Sequence, residues 1–393
     1  MLRFNLQAPL NRTGVGTHGQ YLVSRLAMLE QVDKNFEFSV QVLHDHVDHS
    51  ISHSVRDQIT KKLMTQKEVQ DSADLDIFLG TADGGGYKSF RGNKKIAYIV
   101  LETDALSRQQ AEFLSGFNEY WTPNDSHGQV LEDHDGCITV RVVPEGASQF
   151  DVTIDDPLPE DGVLCLLSIG KFEKRKGHEV LLDSLEIVGE HTPVRLLAHW
   201  DNPWNPKGSI QALKQRGYHL NAGTYQKGDI RVKPMSPVTW QVDLVSSMRA
   251  SHLAVFPHFG EGWGLAQLEC IVNGLPTIGS AHTGSEDYMS AYDICFSSAC
   301  SEITGQSLPE ESYVCLRQPA ERELAEDGIF YHGDKGYWYP VDPRHVANMI
   351  LSKSWDRIWP SQRVEIADHM AEQYSWLKSA EKFIEACKEA VGS

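Results

Sequence analysis

The chain has 393 residues, which at roughly 100–200 residues per domain predicts two or three domains. Lys and Arg number 36 and Asp and Glu 54, a formal charge of −18, with 41% hydrophobic and 23% charged residues. These are ordinary values for a chain that buries its own cores, and the acid excess argues against a protein that coats nucleic acid or an anionic membrane.

Short apolar runs alternate with longer amphipathic ones, which predicts an α/β fold with parallel sheets. Strands are expected at Leu2–Leu6, Phe38–Leu43, Asp76–Leu79, Ile96–Leu101 and Thr139–Val143. Between them, Gly19–Gln31 carries Leu22, Leu26 and Leu29 at helical spacing. The acidic segment DVTIDDPLPEDG, 151–162, holds two prolines and reads as a linker. The alternation then restarts. Val163–Ile169 is almost wholly apolar, as for a strand buried on both faces. A helix follows from about His178 to Val188, then strands near Val194–Ala198, Arg231–Lys233 and His252–Phe256. A helix carrying Trp240, Leu244 and Met248 fills the last gap. The segment Tyr374–Val391 reads as a helix with no strand after it, able to dock on either half.

The expected organisation is therefore a first domain over 1–155, a second over 156–370 and a C-terminal helix over 371–393. Two such halves create a cleft between the carboxyl ends of their sheets, the edge at which open α/β sheets bind ligands. The seven cysteines, at 137, 165, 270, 295, 300, 315 and 387, are irregularly spaced and include no CxxC pair, so no disulfide framework or zinc ribbon is readable. The start, MLRFNLQAPLNRTGVG, lacks the apolar run of a signal peptide, and no stretch has the length of a membrane span. The expectation is a soluble, cytoplasmic protein.

Chemistry is then sought in the loops after strands. Ser168-Ile-Gly-Lys-Phe-Glu-Lys-Arg-Lys-Gly177 places Lys171, Lys174, Arg175 and Lys176 in an otherwise acidic half. It opens a helix whose N-terminal amides favour an anion. The loop reads either as a phosphate or pyrophosphate site or as a solvated basic turn, and it is not a P-loop, because GxxxxGK[ST] is absent. A second loop, Phe256-Pro-His-Phe-Gly-Glu-Gly-Trp-Gly-Leu265, has three glycines in five positions. The helix after it ends at Asn273-Gly274 with Pro276 beyond, a standard stop. Glu269 sits about 40° round that helix from Leu265, at the edge of the buried face. A carboxylate there needs a partner, either a neighbouring cation or the vicinal diol of a ribose. Glu261, before the helix, is placed to point into the cleft.

Gly170-Lys171 to Lys176-Gly177, Glu261 and Glu269, Gly274-Leu-Pro276-Thr-Ile and Gly284-Ser-Glu286 occur in one order. In that order they resemble the large retaining family 4 of GT-B glycosyltransferases. Trp121-Thr-Pro-Asn124, Val143-Pro-Glu-Gly146 with Phe150, and Tyr374-Ser-Trp376 extend the resemblance over most of the chain. It implies two Rossmann-like α/β/α domains facing a central cleft, with the C-terminal helix crossing back to the first domain. It implies transfer of a sugar, with retention, from a UDP-, GDP- or ADP-linked donor to a hydroxyl. No cofactor or metal is implied beyond that donor. Lys171, where the family usually has Arg, and Lys176 would neutralise the diphosphate, though Lys171 lacks the planar fork of Arg. Glu261 would bind the donor sugar and Glu269 the ribose. The backbone of Gly262, Trp263, Gly264 and Leu265 would line sugar and phosphate, and the base would rest near Lys233–Met235. The departing phosphate would take the acceptor proton.

Gly14-Val-Gly16-Thr-His18-Gly19 fits GxGxxG and admits an NAD reading, with Asp45 as the ribose acid. A strand ending near Leu6 leaves too long a turn for that fingerprint. In the resemblance, a glycine loop here, with Gly14 and Gly16, faces the donor phosphates and the acceptor; the alternative is a turn before a helix. His18 is either a helix-start residue or an acceptor-side contact. Glu102, at the end of a strand, is the acceptor-side catalytic candidate. Asp74-Leu-Asp76 matches a metal-binding DxD but reads better as the start of a strand. His44, Asp45, His46, Asp48, His49 and His53 lack the HExxH spacing of a metal helix. Lys88, Arg91, Lys94 and Lys95 form a solvated loop or touch an anionic acceptor. A noncatalytic nucleotide-sugar binder and an NAD-dependent oxidoreductase remain the competing functions.

Overall fold

Two parallel sheets organise the chain, in a computed structural model that describes residues 1–47, 53–65, 73–89, 94–136, 138–150, 162–235, 241–304, 312–317, 319 and 321–392. The chain divides into two units. Unit 1 comprises Met1–Ala147, Asp334–Gly336 and Glu372–Ser393; unit 2 comprises Ser148–Gly333 and Tyr337–Ala371. The expected linker falls, apart from Gly162, outside the described residues.

Unit 1 is built on β1 (Leu2–Leu10), β2 (Phe36–Val47), β3 (Leu75–Thr81), β4 (Lys94–Val100), β5 (Glu119–Thr122) and β6 (Thr139–Val142), ordered β2-β1-β3-β4-β5-β6 with every pairing parallel. Its helices are α1 (Gly14–Val32), α2 (His53–Thr65), α3 (Arg108–Leu114) and α4 (Asp125–His134). β3 and β4 are buried along nearly their whole length, so their sequences read as apolar runs.

Unit 2 repeats the plan with β7 (Leu164–Ile169), β8 (Val194–His199), β9 (His219–Asn221), β10 (Thr224–Lys227), β11 (Ile230–Pro234), β12 (Leu253–Phe256), β13 (Thr277–Ala281) and β14 (Cys315–Arg317). Their order is β14-β13-β12-β7-β8-β11-β10-β9, parallel except for the hairpin strands β9 and β10 at one edge. A separate hairpin, β15 (Glu323–Glu326) and β16 (His332–Trp338), lies outside that sheet. The helices are α5 (His178–Gly189), α6 (Gly208–Gln215), α7 (Gln241–Arg249), α8 (Leu265–Val272), α9 (Glu286–Thr304), α10 (Pro343–Ser352) and α11 (Pro360–Gln373). The core under the loops of interest joins Leu167, Leu197, Leu244, Met248, Phe256, Cys270 and Leu275.

The last helix, α12 (Trp376–Gly392), belongs to unit 1 and packs on α1. Its buried Trp376, Ala380, Phe383, Ile384 and Cys387 recur at helical spacing. Phe383 meets Phe4 at 5.7 Å and Trp121 at 5.3 Å between ring centroids. The Lys94 ammonium donates to the Ala390 carbonyl at 2.8 Å, satisfying one of the acceptors a helix end leaves open.

β1 runs four residues past the expected Leu6, because Gln7–Leu10 continue the ladder on β2 and stay buried. β5 escaped the sequence reading, since its four residues open on a charge. Glu119 is 1% exposed there, paired with Lys94 at 3.0 Å and with Arg141, and accepts the Trp121 indole N–H at 2.8 Å. Among the described residues no helix is long and apolar enough to cross a membrane, and the six described cysteines are free thiols.

Candidate functional site

The basic loop leaves β7 at Ile169 and closes in a single 3-10 turn, Lys174–Lys176. Its cations divide into two kinds. Arg175 turns inward and is 3% exposed; one guanidinium nitrogen donates to the Gly260 carbonyl at 3.2 Å and lies 3.4 Å from a Glu261 oxygen. Lys171 and Lys174 stay nearer solvent and carry carboxylate partners, Glu173 at 2.7 Å and Glu323 at 3.0 Å. Lys176 is paired directly with Glu261. Each of the four cations thus faces a carboxylate, from Glu173, Glu261 or Glu323. Glu173 also reaches the Arg175 guanidinium, at 3.4 Å.

The loop is braced from both sides. The Lys171 carbonyl accepts from the His178 Nε2 at 3.0 Å, and the His178 ring packs on Phe172 and Trp200. Burial, reinforced by the Lys176 charge, pulls His178 down to about 3, so the ring is neutral at pH 7. From the other side, the Phe259 amide donates to the Arg175 carbonyl at 2.7 Å.

The second loop joins β12 to α8. The Glu261 amide donates to the Thr283 hydroxyl at 3.0 Å, and the Gly284 amide to the Glu261 carbonyl at 2.8 Å. Glu261 is 6% exposed. Burial alone would raise its pKa, but the charges of Lys176 and Arg175 outweigh it and hold the carboxyl well below the ordinary range. His258 Nδ1 lies 3.2 Å from the same carboxylate, with burial holding that ring neutral. Gly264 caps α8 at φ 92°, a left-handed conformation that suits glycine. A Cβ there would collide with the Tyr288 hydroxyl, which itself donates to the Gly264 carbonyl at 3.2 Å. Gly264→Ala is therefore expected to destabilise unit 2 by about 1–3 kcal/mol, read as a lower Tm; an unchanged Tm would show that the strain is relieved by movement of Tyr288.

Glu269 lies one helical turn on from Leu265. Its side chain is half-buried, and burial pushes its carboxyl up to about 8. Among the described residues the carboxyl has no hydrogen-bond or ion-pair partner, so the neighbouring-cation alternative is absent there. A half-buried acid with unused hydrogen-bonding capacity suits a ligand that donates hydroxyls. Met235 follows β11, bonds through its amide to the Ala198 carbonyl at 2.9 Å and packs its side chain against the core under the site.

In unit 1 the connection from β1 to α1 is only Asn11–Thr13, so the long turn expected before the glycine motif is absent. Gly14, Gly16 and Gly19 all lie inside α1, capped by the Thr13 hydroxyl, which accepts from the Gly16 amide at 3.0 Å. A Cβ at Gly16 would strike Asn11, one at Gly19 the Pro9 carbonyl, and one at Gly14 would meet nothing within 4 Å. Gly19 therefore serves the close approach of helix to strand and Gly16 that of helix to the preceding turn, while Gly14 leaves open space. His18 is 0% exposed, boxed by Tyr98, Trp376 and Glu145, with its Nδ1 3.4 Å from the carboxylate. That burial corrects the acceptor-side expectation, because the ring presents no surface to a substrate. Glu102 is half-buried just past the end of β4.

Asp74 accepts the Arg3 amide at 2.8 Å and Asp76, fully buried, accepts from Asn5 at 2.5 Å. Both aspartates tie β3 to β1 and the DxD reading is not needed. Lys94 serves Glu119 and α12, and Arg91 lies outside the described residues. So do His49, Asp48 and the side chains of His44, Asp45 and His46. Among the described residues no cluster of three metal-ligating side chains occurs. Sequence reasoning missed Glu173, Thr283, Asn202 and Trp204. Only the place of Glu173 between two cations gave a signal for any of them.

No protein-family model matches the chain, and no curated protein matches it in sequence. Solved structures do match. The chain aligns with a sucrose-phosphate synthase from Thermosynechococcus elongatus at TM-score 0.59 and 13% identity, covering 99% of each chain. It aligns with Anabaena HepE, solved with UDP and glucose, at TM-score 0.56 and 11% identity, over 99% of this chain and 100% of that one. A glycosyltransferase from Rickettsia africae matches at TM-score 0.59 and 11% identity, over 99% and 98%. At such identities the likeness shows the fold. It is an α/β fold of Rossmann-like parallel-sheet units, of the GT-B kind found in glycosyltransferases.

Proposed function

We propose that the chain moves a sugar from a nucleotide-diphosphate sugar to an acceptor hydroxyl, with retention of configuration and without a metal ion. The observation that carries the reading is the pair of loops at the carboxyl edge of the second sheet, where Lys176 meets Glu261 and Glu269 waits one turn into α8. Lys171 and Lys176 neutralise the diphosphate, helped by the open amides at the start of α8, as fixed dipoles do for developing charge. Phosphate arriving at Lys176 releases the Glu261 carboxylate, which then accepts from donor-sugar hydroxyls. Backbone from Gly262 to Leu265 lines the sugar, and Glu269 accepts from the ribose diol. On the acceptor side we assign Glu102, and the departing phosphate takes the acceptor proton. The resemblance to retaining family 4 enzymes supports the stereochemistry, and the neighbouring HepE structures with UDP and UDP-glucose support a nucleotide-sugar donor, which we take to be UDP-, GDP- or ADP-linked.

A thermal-shift panel of UDP, GDP, ADP and NAD tests the reading. A rise in Tm with a nucleoside diphosphate is expected; a rise with NAD alone overturns it in favour of an oxidoreductase. Product formed from labelled nucleotide sugars and hydroxyl acceptors separates an enzyme from a noncatalytic binder. Glu269 adds a sharper readout. Its carboxyl holds a proton up to about pH 8, and ribose hydroxyls donating to it favour the ionised form. Binding at pH 7 should therefore release a proton, seen by calorimetry in buffers of different ionisation enthalpy. Glu269→Gln should abolish the release and weaken binding, and proton release that survives the substitution would remove Glu269 from the ribose site.

A further inference from the structure

Among the described residues, the large exposed aromatic side chains include Trp204 at 50%, Phe330 at 40% and Trp359 at 64%. Two of them meet. The Trp204 and Phe330 rings lie edge to face, centroids 5.0 Å apart. Both stand on braced turns. The Asn202 side-chain oxygen accepts the Trp204 and Asn205 amides at 3.0 and 3.3 Å, while its amide donates to the Phe172 carbonyl at 2.9 Å. Asp327 accepts three successive amides, Ile329, Phe330 and Tyr331, at 2.8–3.0 Å. The β15–β16 hairpin that carries Phe330 is anchored beneath the basic loop by Phe259, Ala325 and Trp338 and by the Lys174–Glu323 pair. An exposed aromatic pair held this firmly presents a rigid, apolar face at low entropic cost.

Its place relative to the cations says what that face meets. Lys171 Nζ stands 4.9 Å from the centroid of the Trp204 ring, within cation–π reach. Lys176, at the other end of the same loop, is joined to Glu261. A diphosphate lying along the loop therefore has its sugar end at Lys176 and Glu261 and its nucleoside end at Lys171 and Trp204. The strand before Trp204, β8, also neighbours β11, whose end carries Met235.

We propose that Trp204, backed by Phe330, is the stacking wall for the nucleobase and determines donor affinity and base preference. This rests on the donor reading above. Stacking a base on an aromatic ring supports about a tenfold or greater affinity gain, whereas inorganic pyrophosphate, having no base, gains nothing from the wall.

The test is calorimetric titration of UDP, GDP, ADP and pyrophosphate into wild type, Trp204→Ala and Trp204→Phe, with Phe330→Ala as a second variant. Trp204→Ala is expected to weaken the preferred nucleoside diphosphate about tenfold or more, with pyrophosphate affinity unchanged and most of the loss recovered by Trp204→Phe. Phe330→Ala is expected to give a smaller loss of the same kind. Equal weakening of pyrophosphate would show that Trp204 acts only by holding Lys171 and would overturn the proposal; so would unchanged nucleotide affinity. Wild type that binds pyrophosphate but none of the three nucleotides would overturn the donor reading itself, and this proposal with it.

Discussion

Lys176→Ala is expected to slow sugar transfer about 10²–10³-fold, the scale of losing one preorganised charge-stabilising donor, and to weaken nucleoside diphosphate binding with it. The leaving group of the proposed reaction is an anion whose charge grows as the bond to the sugar breaks. Lys176 lies against the glutamate assigned to the sugar, with its side chain only 13% exposed. A charge in that setting is poorly screened, so its attraction for phosphate is strong. Lys171 is more exposed, at 32%, and already shared between Glu173 and the Trp204 face, so Lys171→Ala should cost clearly less. Lys176→Gln separates charge from packing, because an amide still hydrogen-bonds Glu261. Full activity in Lys176→Gln, with the fold intact by circular dichroism, would remove Lys176 from the chemistry.

The parts of this arrangement that sequence could show are those with a local pattern. β7 and β8 were legible because both faces of a parallel strand are covered and the residues run apolar; α8 was legible because Asn273-Gly274 and Pro276 stop it. The ordered pair Glu261 and Glu269 located the loop, and the loop forms where expected. Contacts made across the fold were not legible. Nothing local distinguishes Arg175, turned inward onto Gly260 and Glu261, from Lys174, turned outward to Glu323. Four neighbouring cations read as one basic patch, and only the folded chain brings carboxylates from 261 and 323 against them. His18 misled for a related reason. A histidine behind a glycine loop reads as a helix-start residue or an acceptor-side contact, and its enclosure depends on Trp376, 358 positions further along the chain. Glu119 hid β5 in the same way, since the partners that make a buried charge tolerable lie at 94 and 141.

Glu261→Ala is expected to destabilise unit 2 by about 3–5 kcal/mol, because it removes the buried carboxylate paired with the largely buried Lys176 and set beside the inward-facing Arg175. Glu261→Gln should lose less, as an amide oxygen still accepts from both cations. The effect carries a pH signature with a definite sign. The folded Glu261 carboxyl titrates below its ordinary value of 4.5. The unfolded chain therefore takes up more protons as pH falls below about 4.5, and the stabilisation present above that pH is lost through this window. Wild type and Glu261→Gln should converge in Tm as the pH drops from 5 towards 3. Glu269 slopes the other way. Its folded carboxyl, raised to about 8, stabilises fully below 4.5 and loses that contribution as pH rises from 4.5 through 8, so Glu269→Gln should flatten the fall in stability across that window. Two glutamates eight residues apart thus bound the stability curve from opposite sides. A ligand that draws Lys176 away from Glu261 and ionises Glu269 should shift both limbs at once. Parallel Tm–pH curves for wild type and Glu261→Gln would mean that the carboxylate is not held by Lys176 and Arg175 in solution, and the exchange of Glu261 for phosphate at Lys176 would have no basis.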